Sequence, residues 1–141
     1  GFPGETEEDF EELLRFVDAA GLSAAGVFPF DAQEGTQAAA LPGQVPPPVA
    51  LERAGRLGSA IDETAACFWQ SLEGRRLDVL IERGTRRADG LAVGRCALQA
   101  PDVDGRTFVT GKPVRRGQQT TCVVTGTAGY DVEGIVRSTS P

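Results

Sequence analysis

Apolar and polar positions follow two different periods along this chain, and the change of period falls near Gly74. Between Glu7 and Ala20, Phe10, Leu13, Leu14 and Val17 recur every three or four positions, the spacing of one helix face. Thr6 and Asp9 stand as the two ends of a capping box. Glu5, Glu7, Glu8 and Asp9 crowd the positive end of the helix dipole, and Gly21 offers the left-handed residue that ends a helix. The short, almost wholly apolar run Ala24 to Phe30 (AAGVFPF) predicts a parallel strand buried on both faces, with Pro29 closing its ladder. Asp31 to Pro48 is rich in Gly, Pro, Ala and Gln and too long for a plain connector, which predicts a functional or poorly ordered loop. Pro46, Pro47 and Pro48 suit the entry of a long helix. In it Ala54, Leu57, Ile61, Ala65, Phe68 and Leu72 form an apolar stripe that runs to about Glu73.

Beyond Gly74 the period shortens to two. Leu77, Val79 and Ile81 alternate with polar neighbours over Arg76 to Glu82, and Leu91, Val93, Cys96 and Leu98 do so after a glycine slip. Further strands are predicted at Thr107 to Thr110, Thr120 to Gly126 and Tyr130 to Arg137, with turns at Asp104-Gly105, Gly111-Lys112-Pro113 and Ala128-Gly129. Five short strands in so few residues fit a small closed, antiparallel β-barrel, which leaves no exposed edges in a domain too short for two packed sheets. Trp69, beside Phe68 near the end of the long helix, is expected to pack between the two halves.

Charge divides the chain at the same place. Residues 1–73 carry three basic side chains against thirteen acidic ones, and residues 74–141 carry eleven basic against seven acidic, within a net charge of −6 over 141 residues. There is no histidine, which excludes Ser-His-Asp and Cys-His nucleophiles and any metal site that needs imidazole. The three cysteines, Cys67, Cys96 and Cys122, have no C-x-x-C spacing and read as reduced packing residues. Neither a signal peptide nor an apolar run of membrane length is visible, so the sequence predicts a cytoplasmic protein without membrane partners. A chain that starts at Gly1 and contains no methionine is expected to be a piece of a longer protein.

Two glycines stand immediately before the first helix in Gly1-Phe2-Pro3-Gly4-Glu5-Thr6, where backbone amides can approach a ligand closely or simply make a tight turn. The carboxylates at Glu5, Glu7, Glu8 and Asp9 disfavour phosphate there and suit a ribose or an amino-acid ammonium group better. Glu34-Gly35-Thr36 in the long loop reads as a surface turn, with a substrate contact as the alternative. The pairs Arg75-Arg76, Arg86-Arg87 and Arg115-Arg116 are either solvated turns or contacts for a charged partner, including RNA.

Taken together, these segments resemble the radical-SAM methylthiotransferases over nearly the whole chain, from Gly1 to Arg137. GFPGETEEDFEELLRFV is similar to the late strand-to-helix junction of their barrel, and AGVFPFDAQEGTQAAALPGQVP to the next strand and its loop. The QEGT form is closer to the RimO branch than to the tRNA-modifying MiaB branch, where that loop usually reads RPGT. The second half resembles their C-terminal TRAM domain, an OB-like barrel, with APDVDG at 100–105 and GYDVEG at 129–134 similar to RimO sequences. The resemblance implies an α+β fragment. Residues 1–45 would be the C-terminal piece of a (β/α) TIM-like barrel, 46–73 a linker helix, 74–137 the TRAM domain and 138–141 a tail.

The resemblance further implies a parent enzyme that adds a methylthio group to the β-carbon of an aspartate on a small-subunit ribosomal protein. S-adenosylmethionine and two 4Fe-4S clusters would be the parent's cofactors, with tRNA as the alternative substrate and a non-enzymatic RNA-binding module as a third reading. The C-x-x-x-C-x-x-C of one cluster and the three cysteines of the other have no counterpart here, so neither catalytic nor metal-ligating residues are expected and this chain alone should be inert. Gly1, Phe2, Pro3, Gly4 and Glu5 align with the family's segment near the adenosyl end of S-adenosylmethionine. Phe30 and Asp31 depart from the family's usual tyrosine and serine, and the tyrosine hydroxyl's hydrogen bond goes with them. For the macromolecular substrate the candidates are Arg75, Arg76, Asp102, Asp104 and Asp131.

Overall fold

The computed structural model describes residues 1–136; Arg137 and the expected tail 138–141 lie outside the described residues. Helix α1 spans Glu7–Ala20, a single 3-10 turn covers Ala38–Ala40, and helix α2 spans Pro47–Gln70. Five strands follow: β1 Arg76–Arg83, β2 Ala92–Cys96, β3 Thr107–Thr110, β4 Gln119–Ala128 and β5 Asp131–Ile135. The chain divides into two compact units, Gly1–Thr64 and Ala65–Pro141, and the division falls inside α2.

In the first unit the capping box forms as its residues dictate. The Asp9 amide donates to Thr6 Oγ1 at 3.2 Å and the Thr6 amide to Asp9 Oδ2 at 2.9 Å, while Gly21 ends α1 at φ 59°. The Thr6 amide and, at 2.7 Å, the Thr6 hydroxyl both donate to the Asp9 carboxylate and hold its pKa below its ordinary value. Phe10 and Val17 are the buried residues of α1, and Ala50 and Ile61 of α2 are buried as well.

Ala24 to Phe30 does not form the predicted strand: the segment has no regular secondary structure, and Phe28 is 90% exposed. A parallel strand exists only by hydrogen bonding to neighbours, and no other strand lies in this unit to supply them. The following loop is held locally. Thr36 Oγ1 donates to the Gln33 carbonyl at 2.8 Å, Gln33 hydrogen-bonds Asp31, and Gln44 Nε2 donates to the Leu41 carbonyl at 2.9 Å. Glu34-Gly35-Thr36 is an exposed turn.

In the second unit the strands close in the order β1-β2-β3-β5-β4, with β4 back against β1. Four of the five pairings are antiparallel and the β3·β5 pairing is parallel. The all-antiparallel expectation fails here for a counting reason: directions cannot alternate around a closed ring with an odd number of strands. Val79, Ile81, Ala92, Val109, Val114, Cys122 and Val136 make one buried cluster. A second joins Ala65, Trp69 and Leu72 of the α2 end to Cys96, Val124 and Val132, with Trp69 only 1% exposed and set edge-on to Tyr130 at 6.4 Å. Trp69 therefore packs the helix end against the strands, as its position beside Phe68 suggests. Cys96 and Cys122 are packing residues, and burial pushes the Cys122 thiol up to about 11. Cys67 is not one; it lies on the exposed side of α2.

Two measurements test this description. Amides of Val79, Ile81 and Val124 are expected to exchange slowly with solvent and those of Val27 and Phe28 quickly, and strong protection at the latter pair would restore the missing strand. Trp69→Ala is expected to lower the unfolding free energy of the barrel by about 3–5 kcal/mol in a denaturant titration.

Candidate functional site

The first unit holds a cleft of about 330 Å³ whose lining includes Gly1, Phe2, Glu5, Phe28, Phe30 and Arg53. Its position follows from the short turn before α1. Pro3 is buried, and the Gly4 amide donates to the Gly43 carbonyl at 2.8 Å, so the turn is pinned to the long loop. Phe2 and Phe30 meet edge to face with ring centroids 5.3 Å apart, leaving Phe2 half exposed.

The polar side of the cleft is built by arginine from α2. Arg53, only 7% exposed, donates from Nη1 to Glu5 Oε1 at 2.7 Å and from Nη2 to Glu7 Oε2 at 2.8 Å. Arg56 bonds Glu7 at 3.2 Å and Glu11 at 2.6 Å, and both guanidiniums lie against the Phe10 ring, at 5.5 and 4.7 Å from its centroid. Partial burial raises the Glu5 pKa, and the hydrogen bond and charge of Arg53 act against it and lower it. Hydrogen bonds from Arg53 and Arg56 lower Glu7 in the same way. Arg53 Nε is buried with no hydrogen-bond partner. An unpaired buried donor is costly, and it marks a place where an acceptor gains more than it does at the surface.

Of the five residues taken for this site from sequence, Gly1, Phe2 and Glu5 line the cleft, whereas Pro3 and Gly4 shape the turn behind it. Arg53 was missed. Its one visible signal is a charged residue next to Ala54 on the face that Ala50, Leu57 and Ile61 bury.

In the second unit, Asp102 and Asp104 line a hollow of about 190 Å³ together with Glu82, Arg95 and Arg106. Asp102 is exposed with φ 59°, Asp104 Oδ2 accepts from the Ala100 amide at 2.8 Å, and Asp131 Oδ1 accepts from the Arg106 amide at 2.7 Å. The Arg106 amide thus ties the two acidic loops together, with one oxygen of Asp104 committed to its own turn and one of Asp131 to the neighbouring loop. Arg75 and Arg76, exposed at the start of β1, do not line that hollow. Beneath the loops sits a polar hub without a sequence signal. Gln99 Oε1 accepts from the Cys96 amide at 3.1 Å and Thr107 Oγ1 at 2.7 Å, and its Nε2 donates to the Tyr130 carbonyl at 2.9 Å.

The clamp has a pH signature. A carboxyl whose pKa is depressed by folding stabilises above its unfolded pKa and loses that contribution as pH falls through the folded one. Arg53→Gln is therefore expected to move the acid unfolding midpoint of the first unit, followed by helical circular dichroism, to higher pH. An unchanged midpoint would mean that the Glu5 and Glu7 contacts contribute nothing.

Residues 74–136 match the TRAM domain family. The chain is 40% identical over all of its 141 residues to a ribosomal protein uS12 methylthiotransferase RimO of Anaeromyxobacter sp. (strain K), and covers 30% of that protein. It is 42% identical over 140 residues to the protein of the same name from Syntrophobacter fumaroxidans, covering 32% of it, and 38% identical over 143 residues to that of Salinispora arenicola, covering 28%. It thus spans about a third of the length of the curated relatives it matches. Residues 74–136 are thus a TRAM domain, and over its whole length the chain is similar to about a third of the length of the RimO-type methylthiotransferases.

Proposed function

We propose that this chain is the TRAM-bearing part of a cytoplasmic enzyme that methylthiolates the β-carbon of an aspartate on a small-subunit ribosomal protein. The observation that carries this reading is the extent of the similarity. About 40% identity runs through all 141 residues, where a shared TRAM domain alone would leave residues 1–73 unmatched.

The cleft of the first unit suits one end of S-adenosylmethionine. Phe2 and Phe30 offer ring surface to an adenine, the ionised Glu5 accepts from ribose hydroxyls, and Arg53 Nε offers an unspent donor. When bound, S-adenosylmethionine supplies the methyl group and the radical that removes the substrate hydrogen. This chain's own contribution is binding and orientation: Arg53 fixes the Glu5 carboxylate in one rotamer, and the aromatic pair excludes water from one side. The residues present do not suit an iron–sulfur cluster. Among the described residues no group of His, Cys, Asp and Glu is placed to hold a metal, and the buried Cys96 and Cys122 belong to different apolar clusters. In this reading residues 1–45 are the edge of the catalytic barrel, 46–73 the linker helix and 74–137 the substrate-recognition domain. Asp102, Asp104 and Asp131 would face a basic ribosomal protein, and Arg75 and Arg76 would be further contacts.

The test uses the full-length gene product, reduced and supplied with S-adenosylmethionine, offered small ribosomal subunits or tRNA. Mass spectrometry is expected to find the mass of one methylthio group on an aspartate of the ribosomal protein, and the 141-residue chain alone is expected to be inert. Methylthiolated tRNA with unmodified ribosomal protein would overturn the reading.

A further inference from the structure

The connection between β2 and β3 turns apolar side chains outward. Connections between strands are ordinarily polar, yet this one exposes Ala97, Leu98, Ala100, Pro101 and Val103. Val103 is 80% exposed, more than any other large hydrophobic side chain among the described residues of the barrel. Asp102 and Asp104 flank it in sequence, and neither makes an ion pair among the described residues. Glu82 and Arg95 pair at 2.8 Å and cancel, which leaves Asp102, Asp104 and Asp131 against the single guanidinium of Arg106. An apolar side chain thus stands in a rim of net negative charge, and single-sign charge around exposed apolar surface marks a protein contact.

The loop that presents Val103 is held on every side. The Val103 and Asp104 amides both donate to the Ala100 carbonyl, at 3.4 and 3.3 Å, and the Asp104 carboxylate accepts from the Ala100 amide at 2.8 Å. The buried Gln99 ties the base of the loop to the Cys96 amide, the Thr107 hydroxyl and the Tyr130 carbonyl. A Cβ on Gly105 would collide with the Tyr130 carbonyl, so only glycine fits where the loop meets the β4–β5 turn. A β-branched side chain adds little freedom of its own. Val103 is therefore preset before a partner arrives, which reduces the ordering cost of binding.

We propose that Val103 is the apolar anchor by which the β2–β3 loop recognises the protein substrate, entering an apolar depression on the ribosomal protein while Asp102 and Asp104 meet basic side chains around it. The inference rests on the methylthiotransferase reading and adds to it a residue that sets specificity. An apolar centre inside a charged rim is the anatomy of a protein interface. RNA is the weaker match, because the carboxylates repel phosphate and valine offers a base no stacking face. A second copy of this chain is weaker too, since two such loops would oppose like charges.

The experiment is steady-state kinetics of the full-length gene product on the small-subunit ribosomal protein. Val103→Ser is expected to raise KM about ten-fold and leave kcat unchanged, as loss of an anchor made equally in ground and transition states does. Asp102→Asn/Asp104→Asn, in which asparagine tolerates the left-handed backbone of residue 102, is expected to raise KM and to weaken its dependence on salt. Leu91→Ser, half exposed on the barrel but outside the loop, is expected to keep the wild-type KM. Unchanged circular dichroism shows that each variant is folded. A wild-type enzyme that leaves the ribosomal protein unmodified overturns the methylthiotransferase reading and this inference with it. With the wild type active, an unchanged KM in Val103→Ser, or an equal rise in Leu91→Ser, overturns the inference alone.

Discussion

Closure of five short strands into a ring is the constraint on which the second unit depends. Because the ring is odd, one pairing must be parallel, and the chain meets that demand at β3·β5. The consequence reaches the surface. β3 lies beside β2 and β5, while β4 lies beside β5 and β1, so the chain from Thr110 to Gln119 must pass the end of the β1–β2 hairpin. It does so in contact, through the Thr85–Val114 exchange and the Gly111 amide to the Ala88 carbonyl at 3.3 Å. The topology that removes every sheet edge therefore also sets Arg86 against Arg115 and Arg116.

A ring this small has room inside only for Val, Ile, Ala and Cys side chains, which limits the apolar area it can bury. The last turns of α2 add to it. Trp69, the largest fully buried side chain, joins Ala65 and Leu72 to three strands, and this is why the compact unit begins at Ala65 rather than at Gly74. The first unit is organised differently. Its helices are joined by charge, with Arg53 and Arg56 of α2 reaching Glu5, Glu7 and Glu11 across the Phe10 ring. The acidic crowding at the start of α1 is thus at once helix-dipole complement and arginine clamp.

Elements whose signals are local were legible in the sequence. Thr6, Asp9 and Gly21 fix α1 at the expected residues, and alternation located all five strands, with ends shifted by a few positions. The failures were of a non-local kind. AAGVFPF has the composition of a buried strand, but composition cannot supply the neighbour that a ladder needs. The parallel β3·β5 pair follows from ring parity, which no single segment displays. Arg53 and Gln99 became visible only when their partners, some 48 and 31 residues away in sequence, were brought to them. Of the residues marked by the glycines before α1, Gly1, Phe2 and Glu5 line the cleft, while Asp104 spends a carboxylate oxygen on its own loop and Asp131 one on the neighbouring loop.

The proposal that the chain is the TRAM-bearing part of a radical-SAM methylthiotransferase requires cluster thiolates that Cys67, Cys96 and Cys122 do not supply. The most direct measurement is to read the coding sequence upstream of Gly1. The account predicts a C-x-x-x-C-x-x-C motif there, with three further cysteines closer to the start. An open reading frame without those cysteines would contradict it and leave a TRAM barrel attached to something other than this enzyme.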